Sequence, residues 1–306
     1  MKNTENKHLQ NSKRYYAMAL DPIHIGVGGY RLGRVDNTII REPTTNIPKI
    51  PGTSLKGVAR RYTAYKYGIG NENCILGKDD PCGKCDICIA FGYTNHKSEN
   101  LPKSFHGLIQ FSDLRIVLFP IYSIRGPVWI TSPRRLKNLG IKDGINLDNE
   151  KIKTNVIGTN ERLNLGWLYL ENEGDLPISG EILAFIPKDI RENIVLVPNK
   201  LYSQLINSNL EVRTSTAINP ATGAVEEKAL YTFEAIPRTT IFWADMVVQD
   251  PDHFKTPKRW KKNKEELFQL FERAFPYLET LGIGGMSTRG FGRLRFLFNK
   301  GDENIN

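Results

Sequence analysis

Residues 282–298 read GIGGMSTRGFGRLRFLF. Five glycines fall between Gly282 and Gly292, too many for a helix or a strand, because each adds backbone freedom that a regular element must suppress. Beyond them Leu294, Phe296 and Phe298 alternate along a final strand. On the other side, Asn263 is placed to cap a helix with Glu265 and Glu266 in its first turn and Leu267, Leu270, Phe271 and Ala274 as its buried stripe. The glycine loop therefore follows a helix and feeds a strand. A dinucleotide fingerprint needs the reverse order, and the spacing is not that of a Walker loop. Glycines let a ligand approach the backbone closely, and Arg289 and Arg293 add cations, so a phosphate-rich chain is the natural ligand.

Working outward, residues 15–20 (YYAMAL) predict a strand, and 21–37 (DPIHIGVGGYRLGRVDN) a long glycine-bearing loop. Residues 53–68 (TSLKGVARRYTAYKYG) are the clearest helix, with Thr53 or Ser54 as cap, an apolar face of Leu55, Val58, Ala59, Tyr62 and Tyr65, and Gly68 as stop. Lys56 and Arg60, four apart, stand beside the free N–H groups of its first turns, which together make a phosphate cradle or simply a solvated basic face. Strands are expected within 107–124 and over 181–186, and a helix after Pro198. Residues 211–234 predict a projecting hairpin, with turn signals at Asn219-Pro220 and Thr222-Gly223. Strands and helices alternate irregularly without internal repeat or linker, which predicts an α+β fold with long insertions.

Lys and Arg number 42 against 33 Asp and Glu, a formal net charge of +9. That excess suits a polyanionic partner, although solubility alone is the plainer reading. No apolar run reaches the ~18 residues of a membrane span, and the N-terminus lacks an apolar signal region, so a soluble cytoplasmic protein is expected. All four cysteines, Cys74, Cys82, Cys85 and Cys88, fall in CILGKDDPCGKCDIC. Staples for a whole fold would be spread along the chain. This cluster points to a closed four-thiolate zinc site, with an iron–sulfur cluster or free thiols as alternatives.

Taken as an ordered set, VDNTIIREPTTNIPKIPGTSLKGVARRY (35–62) and GIGGMSTRGFGRLRF (282–296) resemble the RAMP superfamily of CRISPR effector proteins. PIHIGVG (22–28), FPIYSIRGPVWITSP (119–133) and ALYTFEAIP (229–237) make the chain most similar to the family of backbone subunits, the fourth subunit, of type III-B (Cmr) complexes. The resemblance implies one elaborated domain over 1–306. Its parts would be a modified ferredoxin-like (RRM-like) palm, a finger or zinc-loop insertion at 71–107, and a protruding β-hairpin thumb at 211–234.

The resemblance further implies binding of a guide crRNA, of complementary target RNA, of further copies along the guide, and of other type III effector subunits. Target RNA would be cut at regular intervals by a metal-dependent endoribonuclease active in the assembled complex. Asp36 is the implied cutting residue, with Mg²⁺ or another divalent cation, and His24 and Glu234 are candidate helpers. Thr53, Ser54, Lys56, Arg60, Gly284, Gly285, Met286, Ser287, Thr288 and Arg289 are the implied RNA contacts, and the four cysteines would hold structural Zn²⁺. The rival expectations are a non-catalytic guide scaffold, the equivalent type III-A (Csm) subunit, and a metal-independent guide-processing enzyme.

Overall fold

The computed structural model describes residues 11–28, 35–66, 68, 72–97, 99, 101–141, 145–178, 183–216, 221–224, 230–254 and 262–298. In chain order, strand β1 (Ser12–Ala19) and the short β2 (Lys49–Ile50) precede helix α1 (Gly52–Lys66). Two short helices follow, α2 (Glu72–Leu76) and α3 (Asp86–Phe91), and then β3 (Tyr93–Thr94), β4 (Ser104–Phe105) and β5 (Ile109–Phe111). A long hairpin, β6 (Leu114–Ser123) and β7 (Gly126–Thr131), leads to α4 (Pro133–Leu136), β8 (Lys151–Thr154), β9 (Arg162–Leu165) and β10 (Leu168–Asn172). Next come α5 (Lys188–Arg191), β11 (Ile194–Leu196), α6 (Asn199–Ser208), β12 (Glu211–Ser215), β13 (Tyr231–Ala235) and β14 (Ile241–Val248). The chain continues with α7 (Lys264–Glu272), α8 (Phe275–Thr280) and β15 (Leu294–Leu297). Among the described residues no helix is long and apolar enough to cross a membrane.

The chain divides into two compact units, one of residues 1–15, 50–114 and 244–283, the other of 16–49, 115–243 and 284–306. In the first, α1 buries Leu55, Ala59, Tyr62, Thr63 and Ala64. Its Tyr62 hydroxyl donates to the Gly282 carbonyl at 2.8 Å and its Thr63 hydroxyl to that of Leu270 at 2.9 Å. Neither Thr53 nor Ser54 caps this helix. It begins one residue earlier, where Gly52 donates its N–H to Asp113 at 2.8 Å, and a side chain at Gly52 would collide with the Phe111 carbonyl. Helix α7 carries the anticipated cap: Asn263 and Glu266 exchange side-chain and backbone hydrogen bonds in a full capping box. Tyr15 meets Phe271 and Phe275 edge-on and donates to Glu272 at 2.8 Å. Burial and that carboxylate push the phenol well above its usual range.

The second unit is built on a mixed sheet ordered β15-β1-β14-β6-β7-β11-β8-β10-β9. β15 pairs antiparallel with residues 16–19 of β1, and β7 antiparallel with β6 but parallel with β11. Val117, Leu118, Trp129, Leu183, Ile186, Ile194 and Leu196 belong to its core. The expected strand at 181–186 is corrected here: residues 183–185 form a turn closed by Ile186 N–H on Leu183. Leu183 and Ile186 reach the core from that turn, with Phe185 packed against it, while residues 181 and 182 lie outside the described residues. The expected hairpin is present as a separate two-stranded ribbon, β12 against β13 in the register Glu211↔Ala235 to Ser215↔Tyr231. Gly223 supplies a left-handed turn residue, while Asn219 and Pro220 lie outside the described residues.

Candidate nucleic-acid interface and metal centre

In the second unit the segment around Asp36 lies alongside β13. A single parallel bridge joins Asn37 to Phe233, with Asn37 N–H donating to the Thr232 carbonyl at 3.0 Å and Glu234 N–H to that of Asn37 at 3.1 Å. Thr232 then grips Asp36 directly. Its N–H and hydroxyl both donate to Asp36 Oδ2, at 2.7 and 2.9 Å, while Asp36 N–H donates to the same hydroxyl at 3.1 Å. Those donors, the backbone N–H first, hold the Asp36 carboxyl below its ordinary range although it is exposed to solvent. An ionised, oriented and accessible carboxylate results.

His24 is placed differently. It is 8% exposed, and its Nδ1 lies 2.6 Å from the Glu234 carbonyl; a carbonyl only accepts, so Nδ1 carries the hydrogen. Its own carbonyl accepts from Gly285 N–H at 2.9 Å, and its ring meets Phe233 edge-on. The glycine loop needs its glycines here. Gly284 has φ +92°, and a Cβ there would sit 2.5 Å from the His24 carbonyl. His24 thus joins the loop to the base of the hairpin.

Glu234 is likewise engaged. Its carboxylate pairs with Arg41 at 2.7 Å and accepts from Ile39 N–H at 3.4 Å, and Arg41 also donates to Asn207 and to the Ile39 carbonyl. This pair lines a cavity of about 600 Å³ with Val27, Ile40, Pro43 and Asn46.

Beyond Gly285 the loop turns at Met286, itself left-handed at φ 61°, into a short 3₁₀ turn, Ser287–Arg289. Ser287, Thr288 and Arg289 are exposed, and Arg289 donates to the Tyr231 hydroxyl at 2.7 Å. Arg293 is already answered by Asp21 through two hydrogen bonds, which removes it as an unpaired cation for phosphate.

In the first unit, Thr53 is exposed and Ser54 and Lys56 are half-buried at the start of α1. Burial, and then the neighbouring Arg60, lower the Lys56 ammonium. The phosphate-facing expectation for Arg60 is corrected by its position. It is 6% exposed, and its guanidinium is taken up by the carbonyls of Cys74, Ile75 and Gly92. A helix of 3.6 residues per turn puts residues 56 and 60 close together without making both of them face water.

The four cysteines come together as a cluster whose sulfurs all lie within 4.8 Å of one another. It is the only grouping of three or more potential metal ligands among the described residues. Backbone N–H groups of Cys82, Cys85 and Cys88 donate to the sulfurs of Cys74, Cys82 and Cys85 at 3.2, 3.3 and 3.5 Å. Donors from Cys88, its thiol before its backbone, push Cys85 down to about 5, while burial pushes Cys74 up to about 11. Four soft donors, one already favoured as thiolate, fit a tetrahedral ion whose 2.3 Å bonds require sulfurs roughly 3.7 Å apart. Iron and zinc are both compatible with that set.

Thr232, Arg41 and Asp113 are site residues that sequence reasoning missed. Each acts across at least 61 positions in the chain, and no local spacing marks it.

The RAMP superfamily model matches residues 16–295, so the chain belongs to that superfamily. Over 250 residues it is 28% identical to the CRISPR system Cmr endoribonuclease Cmr4 of Pyrococcus furiosus, covering 75% of this chain and 79% of that protein. A subunit of the type III-B Cmr-beta complex bound to cognate target RNA superposes with a TM-score of 0.64 at 18% identity, over 93% of this chain and 96% of the other. Oligomeric Cmr4 of Pyrococcus furiosus gives 0.57 at 22% identity, over 94% and 98%. The expected α+β class and superfamily both hold.

Proposed function

We propose that this chain is the crRNA-binding backbone subunit of a type III-B effector complex and that it cuts guide-complementary target RNA at regular intervals. The observation that carries the reading is Asp36, an exposed carboxylate fixed by Thr232 on β13 of the β12–β13 ribbon. RNA is split by its own 2′-hydroxyl when that oxygen, the phosphorus and the leaving 5′-oxygen lie in line and the growing charge is neutralised. The ribbon, extending from the cutting residue, would serve as the thumb (211–234) that bends the target there. Asp36 would hold a divalent cation such as Mg²⁺, which when bound offsets charge on the scissile phosphate with RNA oxygens and water completing its shell.

His24 and Glu234 support this arrangement from behind. His24 fixes the glycine loop against the ribbon, and Glu234 with Arg41 anchors the segment that carries Asp36. Guide phosphates would be held by Thr53, Ser54 and Lys56 at the start of α1, and by Gly284, Gly285, Met286, Ser287, Thr288 and Arg289 in the loop. Arg60 is left out. The remaining parts of the reading are a palm of ferredoxin-like type and a finger at 71–107 stapled by zinc on the four cysteines. Further copies along the guide and other effector subunits would complete the assembly.

The test is the assembled complex with end-labelled target RNA. Asp36→Asn should assemble and bind target yet lose every regularly spaced cut together, as EDTA should also do. Wild-type cutting by that variant would leave a guide scaffold whose cleaving group lies elsewhere.

A further inference from the structure

Arg60 is the one buried cation among the described residues of the first unit, and its surroundings are built around it. Its Nε donates to the carbonyls of Cys74 and Ile75, both at 2.9 Å, and its two terminal nitrogens to those of Gly92 and Cys74. These acceptors flank the cysteine cluster in sequence. Cys74 and Ile75 stand at its start, and Gly92 lies just past α3, which carries Cys88. Gly77, left-handed at φ +71°, closes the slot: a Cβ there would lie 2.6 Å from the guanidinium carbon.

A divalent ion on four thiolates carries a net charge of about −2, and thiolate centres of this kind depend on outer donors and countercharge. Here Cys74 and Cys88 are 1% and 0% exposed, so water reaches the half-buried Cys82 and Cys85 but not these two sulfurs. Backbone N–H···S bonds supply part of the compensation, and Arg60 supplies a full positive charge that burial does not remove.

We infer that Arg60 is a positioning residue of the four-cysteine metal centre, countering its charge and tying α1 to it, so that metal occupancy sets the order of α1. The inference rests on the reading that the cluster holds a metal ion. It gives the basic helix a second dependence besides its packing on α7 and α8: the helix that presents Lys56 is braced from one side by a centre that must be loaded.

The test uses the full chain loaded with zinc, with cobalt(II) as spectroscopic probe and hydrogen exchange over residues 52–66 as the structural readout. In the wild type, a strong chelator should remove about one metal ion per chain and raise exchange in α1 well above that of α6. Arg60→Met should weaken zinc binding about 10- to 100-fold, the range found for outer-sphere partners. It should also alter the cobalt thiolate bands and leave α1 exchanging fast even when loaded. Arg60→Lys restores the charge without the fork and should recover part of the affinity. Gly77→Ala crowds the slot without touching charge or ligands and should reproduce the exchange phenotype.

Unchanged zinc affinity and cobalt spectrum in Arg60→Met would overturn the inference while leaving the metal reading intact. So would wild-type α1 exchange that ignores the chelator, a measurement that requires no variant to fold. A wild-type chain that binds neither zinc nor cobalt would overturn the metal reading itself, and the inference with it.

Discussion

The Asp36 segment and the cysteine cluster are both small constellations held by hydrogen bonds, yet they are built in opposite ways. Asp36 is a single exposed carboxylate, steadied by one threonine that meets it twice through Oδ2. The cysteines form a closed set of four potential ligands, two of them buried and every sulfur near the others. A group that must meet a phosphate from outside has to stay open, and its aim comes from a neighbouring strand. A group that holds its ligand permanently gathers all its donors from within one short stretch of chain.

The contrast breaks first at Asp36. On the proposed reading, Asp36→Asn should slow cutting by at least ~10²-fold, while the cysteine variants leave Asp36 and Thr232 in place. Serine at both Cys82 and Cys85 is the converse. It should release the metal and expose residues 72–94 to proteolysis, with hydrogen exchange in the sheet of the second unit unchanged.

Thr232→Val tests how far orientation matters. It should keep target binding and cost roughly tenfold in cutting rate, since one of two donors to Oδ2 remains. The pH profile sharpens the same point. The Thr232 donors hold the Asp36 carboxyl low, so the ionised form persists as pH falls through the usual carboxylate range. Removing the hydroxyl should move the acid loss of cutting to higher pH, and an unmoved profile would separate Asp36 from the rate-limiting step.

Two stability changes complete the series. Arg41→Met strands the Glu234 carboxylate, whose side chain is only 14% exposed, and should cost about 1–3 kcal/mol in urea unfolding. Asp113→Ala removes the acceptor for the first N–H of α1 and should cost about 1 kcal/mol.

Much of this was legible wherever the physics is local. The Asn263 cap, the stripe of α7, the β12–β13 hairpin and the cysteine spacing all announce themselves in local stretches of sequence, and each is present. Asp36 could be named through motif order, but its Thr232 partner could not, because the two are 196 positions apart and neither spacing nor composition links them. Arg60 misled for a related reason. Its register on the helix was readable, whereas the carbonyls that draw it inward belong to the next segments. The turn at 183–185 reads as a strand because a short continuous apolar run does not by itself distinguish a strand from a turn that reaches the core.

The same separation of 196 positions has a consequence for the birth of the protein. At ordinary synthesis rates of about 5–20 residues per second, Asp36 is added to the chain roughly 10–40 s before Thr232. Through that interval the carboxylate has no strand to lie against and no fixed aim. A nascent chain is surrounded by messenger and ribosomal RNA, the polymer that its finished form is proposed to cut. The geometry proposed for cutting is therefore completed only after about three quarters of the chain has been made.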